Sequence, residues 1–93
     1  MRFEEFVDSL AMEKPPSVGS MLEALWYDGK GDWDQSHNIV QSSSEAMAYR
    51  IHGYLHWKEG DLGNAGYWYS RAGVSRPDHD LQAEWESLVR ELL

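Results

Sequence analysis

A chain of 93 residues without cysteine, with 16 acidic against 8 basic side chains and a net charge of −8, is sized for one domain that buries about 60–65% of its unfolded surface. It has no disulfide or thiolate chemistry, which suits a reducing cytoplasm, and its charge repels a phosphate backbone, so nucleic acid is not expected as a partner. No apolar run reaches the length of a membrane span and the acidic start "MRFEEFVDSL" is unlike a signal peptide, so a soluble cytoplasmic protein that does not engage membranes is expected.

In chain order, Phe3, Phe6, Val7 and Leu10 share one face of a helix over about 2–12, and "EKPPS" then breaks the chain. Two helical hairpins follow, over about 17–43 and 44–73. Set on their Gly-Asp pairs, "LWYDGKGDWDQSHNIVQ" (25–41) and "YLHWKEGDLGNAGYWYS" (54–70) align without gaps at an offset of 29 residues. Gly31 and Gly60 suit the left-handed conformation that ends one helix, and Asp32 and Asp61 suit capping of the next. Gln35 strengthens the first cap, and Ser42 with Glu45 reads as a capping box opening the helix through "AYRIHGYLHW". Leu81, Trp85, Leu88, Val89 and Leu92 lie on one face of a last helix over about 79–92, capped by Asp78 or Asp80. Two hairpins bury too little by themselves, so the terminal helices are expected to cap them. The expected fold is all-α: one domain of about six helices.

The second hairpin carries Tyr49, His52-Gly53, His56, Gly60-Asp61-Leu62, Ala65, Tyr69, Ala72 and Pro77, which resembles one tetratricopeptide repeat (TPR), with histidines in its Leu and Tyr places. The first hairpin matches less closely, through Ala24, Tyr27, Gly31-Asp32-Trp33, Ser36 and Val40, with Glu23 at a Leu place and no closing proline. The phrases "KGDWDQSHNIVQ" and "YLHWKEGDLGNAGYWYSRAG" are also similar to those of a group of small proteins, a likeness that bears on the fold alone. The TPR resemblance implies that the first helix of each hairpin lines a concave side.

His52 and His56 are four apart and Glu59 is three further, so all three project from one side of a helix. His37, with Gln41 four residues on, lies on the preceding helix. Imidazoles so placed can pack in the core and hydrogen-bond a tyrosine or a backbone carbonyl, form a polar ligand pocket, or hold a divalent metal. The repeat register favours packing, and no cofactor is expected. The HxxxH spacing lacks the glutamate of a metalloprotease helix, "GKGD" lacks the spacing of a phosphate loop, and the serines of "QSSSE" have no nucleophile-elbow context. An enzyme is therefore the less expected outcome.

Met47, Arg50, Tyr54, Trp57 and Lys58 recur at short helical steps on the helix over 45–58 and form a second stripe. The resemblance directs it into the concave groove beside Met21, Leu25 and Asp28. Arginine with aromatics is the composition of interface anchors. The leading functional expectation is thus an interaction module that takes a protein or peptide through this stripe, or a second copy of itself. The alternative, from another class, is a small-molecule or metal-binding protein, or an enzyme, built on His37, His52, His56 and Glu59.

Overall fold

The computed structural model describes residues 1–93 and is all-α, with six helices: α1 (Phe3–Asp8), α2 (Ser20–Gly29), α3 (Trp33–Gln41), α4 (Ala46–Lys58), α5 (Leu62–Arg71) and α6 (Leu81–Leu92). A single 3₁₀ turn, Ser9–Ala11, continues α1. No helix is long and apolar enough to cross a membrane.

Helices α2 and α3 form one hairpin and α4 and α5 the next, and both close by the same device. Gly31 and Gly60 have φ of 85° and 90°, a region that costs an L side chain strain. With the glycine in place, the Asp32 N–H donates back to the Tyr27 carbonyl and the Asp61 N–H to the His56 carbonyl, each at 2.9 Å. These bonds satisfy carbonyls left over at the helix end. The side chains of Asp32 and Asp61 then accept from the backbone N–H groups of Gln35 and Asn64 and start α3 and α5. A third closure of this kind, Gly73 with the Val74 N–H donating to Tyr69, ends α5.

Two expected caps differ. Ser42 ends α3, its hydroxyl donating to the Asn38 carbonyl, and α4 begins only at Ala46, with Glu45 as its N-cap and no side-chain bond there. The hydroxyl is consumed by the helix behind it, so it does not open the one ahead. For α6 the cap is Asp80, which accepts from the Ala83 N–H at 2.8 Å.

Helix α4 is the centre of the molecule, and residues 51–56 are buried without interruption. It packs on α5 and α3 on one side and on α2 and α6 on the other. It comes close to α5 at Gly53, where a Cβ would lie 2.7 Å from the Tyr69 ring. The core joins Leu25 and Trp26 of α2, Ile51 and Leu55 of α4, Phe6 of α1, and Trp85, Leu88 and Val89 of α6. Burying apolar area on this scale is the main stabilising term of such a domain. The indoles are satisfied as they are buried: Trp26 donates to the Ser9 carbonyl, Trp33 to Leu55 and Trp85 to Leu25.

Helix α6 therefore lies across the α2–α4 face, and polar pairs fix it there. The Arg50 guanidinium meets both oxygens of Glu91, at 2.9 and 2.8 Å. The buried Glu84 carboxylate accepts from the Tyr69 hydroxyl and pairs with His79, each at 2.9 Å. Burial and Glu84 together push the Tyr69 phenol above its ordinary range, so it remains a donor.

Candidate functional site: a three-histidine cluster

The second face of α4 carries His52 and His56, and the helical step places them one turn apart. Helix α3 crosses beside them and brings in His37. One ligand nitrogen from each of His37, His52 and His56 can be chosen so that all lie within 4.8 Å of one another. Ring centroids are 4.6 Å apart for His37 and His52, 4.9 Å for His52 and His56, and 5.3 Å for His37 and His56.

Two indoles wall the cluster. Trp33, one turn before His37 on α3, stacks on it at 4.7 Å with planes 10° apart. Trp68 of α5 stacks on His52 at 3.9 Å, also at 10°. Both tryptophans lie outside the residues that the histidine spacing singles out. Trp33 was within reach, since it falls four residues before His37, whereas Trp68 comes from a separate helix and only the packing of α5 on α4 brings it in.

His52 is 4% exposed and His56 7%. Of the three, only His56 makes a hydrogen bond: its Nδ1 lies 2.6 Å from Glu59 Oε1. The tyrosine or backbone carbonyl partners that a packed core histidine would take do not serve His37 or His52. Glu59 fixes the His56 ring so that Nε2 is the nitrogen free to bind, the arrangement in which a carboxylate orients a metal-binding imidazole. Glu59 and Asp61 also come within ligand distance of His56 at the turn.

The electrostatics favour the neutral form of His37 and His52. Burial, then the neighbouring His37 and His56, lowers His52 to about 4. Burial and then His56 lower His37, against the opposing pull of Glu59 and Asp34. Protonating one imidazole makes a charge on the next more costly. At neutral pH His37 and His52 therefore present lone pairs, the form a metal requires. A tetrahedral zinc with Zn–N near 2.0–2.1 Å wants nitrogens about 3.4 Å apart, closer than the 4.8 Å within which this set lies, so the rings must draw together to hold one.

The five residues of the other stripe are placed differently. Tyr54 is buried, with its hydroxyl donating to Asp28 Oδ2 at 2.7 Å. Lys58 Nζ is 2.9 Å from Asp28 Oδ1, and Arg50 is held by Glu91 of α6. Met47 packs half-buried against the core, and Trp57 lies half-buried beneath the Arg76 guanidinium, 5.2 Å from it. The stripe is one face of α4, and α6 of the same chain meets it at Arg50 through Glu91.

No family model matches the chain, and no curated protein or solved structure is found to be similar to it.

Proposed function

We propose that this protein binds a divalent transition-metal ion, of the zinc class, through His37, His52 and His56, with Glu59 orienting His56. The observation that carries the reading is His52: a buried imidazole in a cluster of three, its ring nitrogens without a hydrogen-bond partner in the chain. Those nitrogens are not sealed from solvent, since the buried side-chain polar atom left without a partner is Ser36 Oγ, so they are free to take an outside partner, which coordination would supply. Three imidazoles suit zinc, copper or nickel better than calcium or magnesium, which prefer oxygen. Three protein ligands leave one position for water or an outside group.

The reading stops at ion binding. Three clefts on the molecule are lined by other residues, and no geometry around the histidines specifies a substrate. The interaction reading, with a protein, a peptide or a second copy docking on the stripe of Met47, Arg50, Tyr54, Trp57 and Lys58, has less support, because Arg50, Tyr54 and Lys58 already have partners within the chain in Glu91 and Asp28.

Metal-free protein titrated with cobalt(II) tests the proposal. One ion per chain with the visible bands of a tetrahedral nitrogen site is expected, displaced by zinc and abolished in His37→Ala and His56→Ala variants whose helical circular dichroism is unchanged. Wild-type protein that takes up no stoichiometric cobalt or zinc at neutral pH would sink it.

A further inference from the structure

A second site lies on the opposite side of α4, independent of the histidines. Helices α1, α2, α4 and α6 converge around a cleft of about 370 Å³, inside the size range of small-molecule pockets. Its apolar walls come from Phe3, Val7, Leu10 and Trp85, and its polar residues are Asp28, Tyr54, Lys58, Gln82 and Glu86.

Charge and hydrogen bonding give the cleft a direction. Asp28 is buried at 2% side-chain exposure while Lys58 reaches solvent at 41%. Both Asp28 oxygens are engaged, Oδ1 by Lys58 and Oδ2 by the Tyr54 hydroxyl. The carboxylate is thereby neutralised and offers little to a ligand donor. The ammonium carries three N–H donors and commits one of them to Asp28, so it still has donors to give. The Trp85 indole N–H is already bonded to the Leu25 carbonyl, which leaves only its ring for contact. Lys30, bonded through Nζ to the carbonyls of Leu10 at 2.7 Å and Met12 at 2.8 Å, ties the 3₁₀ turn to the end of α2 and so holds the Leu10 wall.

We propose that this cleft is a binding site for a small apolar molecule ending in a hydrogen-bond acceptor, a carbonyl or a carboxylate, which accepts from Lys58 while its body lies between α1 and Trp85. Glu86 also lines the cleft, so an amine-ended molecule is the discriminating control. The ion pair of Asp28 and Lys58 orients the ammonium, and Val7, 37% exposed, guards the apolar part.

The test uses the full chain and three probes of one shape: 4-phenylbutanamide, 4-phenylbutyrate and 4-phenylbutylamine. Binding is followed by two-dimensional NMR at the Trp85 indole N–H and the Gly29 amide. The amide and the carboxylate are expected to give saturable shifts at both signals, and the amine much weaker ones. Lys58→Met should weaken both acceptor probes about tenfold or more, the loss of a hydrogen bond to a charged donor. Val7→Trp, which fills the cleft without touching its polar end, should abolish the shifts in a chain that still shows the native spectrum elsewhere. Equal or tighter binding of the amine would overturn the acceptor assignment. Absence of saturable shifts with every probe, or shifts indifferent to both substitutions, would overturn the site.

Discussion

The imidazole of His52 lies face to face on the indole of Trp68, with 3.9 Å between ring centroids and 10° between planes. The stack joins α4 to α5 and holds the His52 ring where it meets His37 edge to face, with centroids 4.6 Å apart. A flat aromatic ceiling of this kind contributes contact area and fixes the ring without using either of its nitrogens.

Trp68→Ala should therefore loosen the site and the hairpin together. A stability loss of about 2–3 kcal/mol is expected for truncating a half-buried indole, with weaker cobalt binding in the folded fraction. Trp68→Phe keeps a ring over His52 and should recover most of both. Urea unfolding and cobalt titration on the two variants measure this, and an alanine variant as stable as wild type would show that the stack contributes nothing.

Stability should fall as the pH drops from about 6.5 toward 4. The folded His52 takes its proton only near 4, whereas an unperturbed histidine takes it at 6.5. Between those values the unfolded chain binds more protons, and unfolding is favoured as pH falls. Below 4 both states are protonated and the loss is complete; above 6.5 the contribution is whole. His37, lowered in the same direction, adds to the slope. Unfolding midpoints measured across this window in metal-free protein should show the slope, and His52→Gln should flatten it. A wild-type midpoint constant from 6.5 to 4 contradicts a neutral buried imidazole.

Glu59→Gln separates metal orientation from folding. Glu59 is exposed and its single bond is to His56 Nδ1, so unfolding should change by less than about 1 kcal/mol. Zinc affinity should fall about tenfold or more, the usual effect of losing the carboxylate behind a metal-binding imidazole. Unchanged affinity from competition titration would mean that Glu59 takes no part in the site.

Asp28→Ala probes the other side of α4. It leaves the Tyr54 hydroxyl buried without its acceptor and Lys58 without its partner. A cost of about 2–4 kcal/mol is expected, less than for a fully enclosed pair because Lys58 reaches water. Asp28→Asn, which can still accept from one of them, should fall between. Urea midpoints decide it, and an alanine variant within about 0.5 kcal/mol of wild type would show that the group is not structurally coupled.

The turns were the most legible part of the chain, because their residues act locally. Gly31-Asp32 and Gly60-Asp61 declare a helix end and a helix start within two positions, and both form. The terminal helices were legible from the apolar faces around Phe6 and Trp85. The faces of α4 were not. Periodicity identifies a buried side by contrast with an exposed one, and residues 51–56 offer no contrast. Tyr54 and Arg50 therefore resemble an open binding stripe in the sequence, when their partners are Asp28 and Glu91, 26 and 41 residues away. The histidines were singled out by spacing, but their lack of partners and their two indole walls depend on how α3 and α5 sit against α4. No local rule carries that information.

The stacked rings have a spectroscopic consequence. Of five tryptophans, Trp33 and Trp68 each lie flat on an imidazole, and an imidazolium quenches indole emission by accepting an excited electron far better than the neutral ring does. Protonation of His37 and His52 should thus darken these two chromophores selectively, while Trp26 and Trp85 report only on unfolding. Intrinsic fluorescence, followed through single-tryptophan variants, can then read the charge state of the cluster and the integrity of the core as two separate signals without any label.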